Sequence, residues 1–289
     1  MLTGLCKVNG NWYFFNKDGS MAVGWNTVNG NQRYFGTNGI MVTGFRKIEG
    51  SWYYLDDVGI MKTGWYEING FQRYFDTDGK LVTGLKKIKN QWYYFSTTGI
   101  MKTGWQKVNG VQRYFGTDGK MATGLQKIES GSTTSLYYFL GNGQMYTDGW
   151  KTVKGKTYYF NTSGKAVSGL QKIDSKWYWF DEDTHVMAAN SFVKANEITR
   201  YYGSDGVMLT GGLNKINGDW YYMDAKGIVS ISRFTKMNGV TRYFGDDGKM
   251  VKGLKKIDGK WYFFLSNGVM YNKGWGTVNK QRRYFYENG

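Results

Sequence analysis

Proline is absent from the 289 residues, and cysteine and histidine occur once each. A lone cysteine forbids an intrachain disulfide and any cysteine-rich zinc site. A lone histidine leaves no histidine-based metal cluster, and any histidine-dependent triad would rest on it alone. No apolar run reaches the roughly 18 residues of a membrane-spanning helix, so membrane insertion is not expected. Met1 to Gly10 lack the charged and then apolar pattern of a secretory signal. Acid is in short supply as well. Lys and Arg number 38 against 22 Asp and Glu, a formal charge of +16. That balance fits either a solvated basic face or attraction to an anionic partner.

What the chain has in quantity is glycine, 42 residues, and aromatics, 18%. Their regular spacing excludes a disordered low-complexity chain. Gly24-Trp25, Asn29-Gly30, Gln32-Arg33-Tyr34-Phe35, Asn38-Gly39 and Met41 align with Gly44-Phe45, Glu49-Gly50, Trp52-Tyr53-Tyr54-Leu55, Gly59 and Met61. The period is about 20 residues, in the range of solenoid repeats. Asn29-Gly30, Asn69-Gly70, Asn109-Gly110, Asn217-Gly218 and Asn238-Gly239 sit between β-prone runs. Both central residues of a type I′ turn need positive φ, so these dipeptides predict β-hairpins. Asp18-Gly19, Asp78-Gly79, Asp118-Gly119, Asp205-Gly206 and Asp247-Gly248 close the units. Missing proline agrees, because proline removes a ladder donor. A lone hairpin is marginal in water, so each must bury its aromatics on the next. The expectation is an all-β, elongated β-solenoid of about fourteen stacked β-hairpins. It forms a single solenoid over residues 1–289, regular through 129 and more divergent over 130–289.

Two kinds of unit alternate. In one, the opening Gly precedes Leu or Phe and the second strand begins with Trp: Leu5 with Trp12, Phe45 with Trp52, Leu85 with Trp92. In the other, Trp opens and Gln-Arg follows: Trp25 with Gln32-Arg33, Trp65 with Gln72-Arg73, Trp105 with Gln112-Arg113. Later units depart from this. Ser130 to Ser135 lengthen one tip, and Phe192 and Phe234 replace the opening Trp.

Strings such as Trp92-Tyr93-Tyr94-Phe95 and Met101-Lys102-Thr103-Gly104-Trp105 resemble the cell-wall-binding repeats of Gram-positive bacteria. That superfamily spans choline-binding modules, glucan-binding repeats of glucansucrases and the repetitive regions of large clostridial toxins. The resemblance covers essentially the whole chain. It implies stacked hairpins with ligands held between them, and a secreted or cell-surface protein attached to polysaccharide. The partner so implied is a glucan or the cell wall, with choline-substituted teichoic acid or a host glycan as alternatives. Choline-binding relatives usually fill both Trp positions in one hairpin, and here only one is filled. A cage would then need neighbouring hairpins to cooperate, as Trp12 with Trp25.

Alternation along a strand puts Gln32 and Tyr34 on one face and Arg33 on the other. The candidate sugar sites pair a flat indole with polar donors. They comprise Trp25 with Gln32, Arg33 and Tyr34; Trp65 with Gln72 and Arg73; and Trp105 with Gln112 and Arg113. Trp12, Trp52 and Trp92 are further candidates. The competing reading packs each Trp in the joint between hairpins. The Arg slot never holds Lys, which points to a planar role, with stacking between hairpins favoured over contact with an anionic ligand. Lys86-Lys87, Lys127, Lys172, Lys215 and Lys255-Lys256 form a basic stripe in this arrangement. Aromatics among basic residues also suit nucleic acid. The repeats match no such module, so no nucleic acid is expected. Asp56-Asp57, Asp181 with Asp183, and Asp246-Asp247 occupy turn slots, and His185 stands where other units place a turn glycine. No catalytic residue, cofactor or metal is expected, and the chain is read as a non-enzyme.

Overall fold

A computed structural model describes residues 1–287 of the chain. Strand pairs follow one another without crossovers, and every one is an antiparallel neighbour in sequence. Fourteen hairpins are present among the described residues, with no helix. They divide into two compact units, Met1–Tyr146 and Thr147–Gly289, with seven hairpins starting in each.

The turns follow the dipeptides that encode them. Asn29 and Gly30 take φ of 51° and 74° between Gly24–Val28 and Asn31–Phe35. The pair exchanges Gly24↔Phe35, Trp25↔Tyr34, Asn26↔Arg33 and Thr27↔Gln32. The chain then folds back, and Met41 bridges to Phe35. The Met41 amide also donates to the carbonyl of Trp12, one hairpin earlier, at 2.7 Å. Met61 repeats this bond to Gln32 at 2.9 Å and Met101 to Gln72 at 2.9 Å. These bonds stitch each hairpin to its predecessor within a unit.

The strand-ending residue forms the core. Phe35, Leu55, Phe75, Phe95 and Phe115 recur every 20 residues, and all are buried. In the second unit Phe180, Tyr202, Met223 and Phe244 fill the same place. Turn glycines serve the packing as well as the turn. A Cβ on Gly59 would lie 2.5 Å from Met41 Sδ, so the preceding methionine needs that notch.

Two departures resolve simply. The lengthened tip extends the ladder itself: Gly124–Ser130 pairs with Thr133–Phe139 through Ser130↔Thr133. His185 takes φ of 58° in a closing loop one residue longer than most, with the bridge running from Phe180 to Met187. Its Nδ1 donates to the Val167 carbonyl at 3.1 Å, and the ring is half-buried.

Candidate functional site

Strand alternation decides which side chains meet. Trp25, Tyr34, Thr27 and Gln32 share one face of their hairpin, which turns toward the next hairpin. The Trp25 ring lies 5.1 Å from Tyr34 and 4.8 Å from Tyr53, at interplanar angles of 67° and 59°. Trp65 repeats the arrangement with Tyr74 and Tyr93, and Trp105 with Tyr114 and Tyr137. The opening Trp is therefore a wedge in the joint, as the packing alternative expected. One edge of it still borders open space.

That space is a cavity of about 420 Å³ lined by Trp25, Gln32, Tyr53, Met61, Thr77, Asp78 and Lys80. Three successive hairpin units contribute. Gln32 Nε2 donates to Thr27 Oγ1 at 3.0 Å, which fixes the carboxamide across the strand pair. Gln72 is fixed likewise on Glu67 Oε2 at 3.0 Å. Asp118 holds the position in the closing turn that Asp78 holds one pair of hairpins earlier. Lys120 Nζ lies 2.8 Å from Asp118 Oδ2. Bonds from the Lys120 side chain and amide hold that carboxyl below the usual carboxylate range. The rim of this kind of joint thus carries a carboxylate and a lysine together beside the aromatic rings. Tyr53 and Asp78 are absent from the sequence-derived candidates. The signal for Tyr53 was the invariable Tyr after each strand Trp. Asp78 could be found only by knowing which turn covers which joint.

Arg33, grouped with Trp25 among the candidate site residues, follows the strand alternation away from it. It lies on the opposite face, is buried at 7% exposure, and does not line the Trp25 cavity. Its Nη1 donates to the Val28 carbonyl at 2.7 Å and its Nε to the Val58 carbonyl at 3.1 Å. One planar group thereby ties its own hairpin to the following loop. Arg113 bonds Val108 and Asn142 carbonyls in the same way, at 2.8 and 3.3 Å. Arg73 bonds the Ile68 carbonyl at 2.7 Å and lies 5.4 Å from the centre of the Phe45 ring. The expected stack is therefore real at Arg73, while backbone carbonyls take the guanidinium at Arg33 and Arg113. A lysine ammonium gathers its donors on one nitrogen and cannot span the two carbonyls that Nε and Nη1 reach, which explains its absence from the slot.

The strand tryptophans are the more open ones. Trp12, Trp52 and Trp92 are 39%, 41% and 39% exposed. Each pairs across its hairpin with a lysine: Lys7, Lys47 and Lys87. Lys7 Nζ sits 6.0 Å from the Trp12 ring centre, and Trp52 stacks on Phe45 at 4.7 Å and 9°. Trp12 and Trp25 do not build one cage. Both use the same face of their own hairpins, so they enter successive joints.

Comparison with known proteins agrees with this architecture. A family model described as a choline-binding repeat matches residues 22–62, 82–105, 102–150, 147–192 and 232–273. The chain belongs to the choline-binding repeat family. A second model, of a cell wall binding repeat, matches residues 3–21 and 211–228. Choline-binding repeats of solved structure share the fold. CbpJ from Streptococcus pneumoniae TIGR4 is 24% identical, with a TM-score of 0.54 over 86% of this chain and 99% of its own. Choline binding protein F from Streptococcus pneumoniae, solved in the presence of a peptidoglycan analogue, is 24% identical, with a TM-score of 0.52 over 86% of this chain and 98% of its own. The choline-binding domain of CbpL from Streptococcus pneumoniae is 25% identical, with a TM-score of 0.50 over 68% and 100%. No curated protein matches the chain. As a choline-binding repeat array, the chain is a binding module of the cell-wall-associated class.

Proposed function

We propose that the chain is a non-catalytic module that attaches a bacterial extracellular protein to cell-wall polysaccharide, with the Trp-opened joints as its binding grooves. The observation that carries this reading is the cavity at Trp25. There an indole, the Tyr53 ring and the Met61 thioether face the Gln32 carboxamide and the Asp78 carboxylate. A flat apolar wall beside fixed polar groups suits a sugar ring. Trp65 with Gln72, and Trp105 with Gln112, are proposed as further copies. Repetition of weak sites gives firm attachment without any single tight one.

A second reading places a choline substituent of teichoic acid in the same grooves. It is favoured by two aromatic rings and a thioether around one space, with the Asp78 carboxylate offsetting the charge of Lys80, a setting in which the ring faces attract a quaternary ammonium. The family description supports it as well.

The test is retention on isolated cell walls and on insoluble glucan, with choline and dextran as competitors. Retention on walls is expected, and the competitor that releases the protein identifies the ligand. Trp65 touches Tyr74, Tyr93 and Phe95, so truncating it would also cost packing. Gln32→Ala with Asp78→Asn is the cleaner variant and is expected to lower retention at an unchanged melting temperature. Failure of both surfaces to hold the native protein would refute the attachment reading.

A further inference from the structure

The joints opened by Leu differ in chemistry from those opened by Trp. Two of them in the second unit contain cavities. One, of about 240 Å³, is lined by Leu170, Trp177, Arg200, Met208, Ala225 and Lys226. The other, of about 620 Å³, is lined by Leu254, Lys260, Trp261 and Arg283 and reaches on to the opening Trp275 and the Arg282 of the last hairpin. Leu170, Trp177 and Arg200 correspond in the repeat to Leu254, Trp261 and Arg283. Neither lining holds a carboxylate, whereas the Trp25 cavity has Asp78.

The balance of charge therefore differs between the two kinds of joint: the Trp25 cavity sets Asp78 beside Lys80, whereas these two hold cationic groups alone. Lys172 Nζ lies 5.9 Å from the centre of the Trp177 ring, so that indole already has a cation over it. A quaternary ammonium entering here would meet Lys172, Arg200 and Lys226, and like charge disfavours it. The same groups suit an oxyanion. Trp177 is 37% exposed and offers a flat wall for a sugar or polyol. Arg200 is held less firmly than Arg33: its Nε reaches the Lys226 carbonyl at 3.4 Å. Its remaining guanidinium donors have the fork geometry that matches phosphate and carboxylate.

We infer that the Leu-opened joints at Trp177 and Trp261 are a second class of binding site, taking an oxyanion, phosphate or carboxylate, borne on a sugar or polyol. This rests on the reading of the chain as a cell-wall attachment module and extends it. The Trp-opened joints hold the neutral ring or the ammonium, and the Leu-opened joints hold the anion. A polymer carrying such groups in alternation matches the array, and a neutral glucan engages only half of it.

The experiment follows the indole N–H resonance of Trp177 in the full chain, assigned with Trp177→Phe. The probes are glucose 6-phosphate, glucuronate and glucose. A saturable shift with glucose 6-phosphate or glucuronate, and none with glucose at the same concentration, is expected. Which of the two anions responds separates a phosphate source from a carboxylate source. Arg200→Gln and Lys172→Gln should each weaken that response about tenfold or more, the loss expected of one charge-assisted hydrogen bond. Lys172 makes its contact within a single hairpin, so that variant keeps the joint intact. No shift with either anion, an equal shift with glucose, or wild-type response in both variants overturns the inference. Wall retention is scored separately. Loss of retention with a persisting Trp177 shift would strike the attachment reading and leave the anion site standing.

Discussion

Single residues carry two different jobs in this repeat, and the alternation of a β-strand separates them. Gln32 and Arg33 are neighbours in sequence yet serve different joints, one lining a cavity and the other tying carbonyls together. Tyr202 shows what happens when a polar atom enters the core row. It stands where Phe35 and Phe75 stand elsewhere, with no exposed surface. Burial pushes its phenol up from 10.0 to about 12, against the opposing pull of Arg200. The unfolded chain therefore gives up this proton first as the solution becomes alkaline. The stability linked to Tyr202 is complete below pH 10.0 and is lost as the pH rises through about 12. Tyr202→Phe is expected to flatten that alkaline loss, measured by urea unfolding at a series of pH values. Identical alkaline slopes in native protein and variant would contradict the assignment.

At the scale of the hairpin, the turn dipeptide sets register, and register sets which face each Trp occupies. Most tips use a glycine at the second position, but several do not. Asp174 and Ser175 take φ of 48° and 65° between Gly169–Ile173 and Lys176–Phe180. A side chain at positive φ costs about 1–2 kcal/mol, part of which glycine gives back as unfolded-state entropy. Ser175→Gly should therefore stabilise the protein by roughly 0.5–1 kcal/mol, seen as a higher urea midpoint. Gly30→Ser, at φ of 74°, should do the reverse. A midpoint that moves the same way in both variants would show that the tips do not limit stability.

For the molecule as a whole, a net charge of +16 spread over repeated lysines makes attachment to an anionic wall sensitive to salt. The Debye length falls from about 10 Å at 0.1 M to about 3 Å at 1 M. Retention on walls should fall across that range while the melting temperature changes little, and retention on neutral glucan should hold. Equal salt response on both surfaces would argue against an electrostatic share. Much of the array was legible in the sequence. Asn-Gly tips, closing Asp-Gly turns and the aromatic second strands mark out the hairpins, because turn φ angles and side-chain alternation are local properties. The two kinds of unit, and the planar demand at the Arg slot, were legible for the same reason. What the sequence could not decide was which faces meet. Tyr53, Met61 and Asp78 reach the Trp25 cavity from later units, and the Val58 carbonyl that holds Arg33 comes from a later loop. Those meetings depend on how one hairpin lies on the next, and only the packed chain settles that geometry.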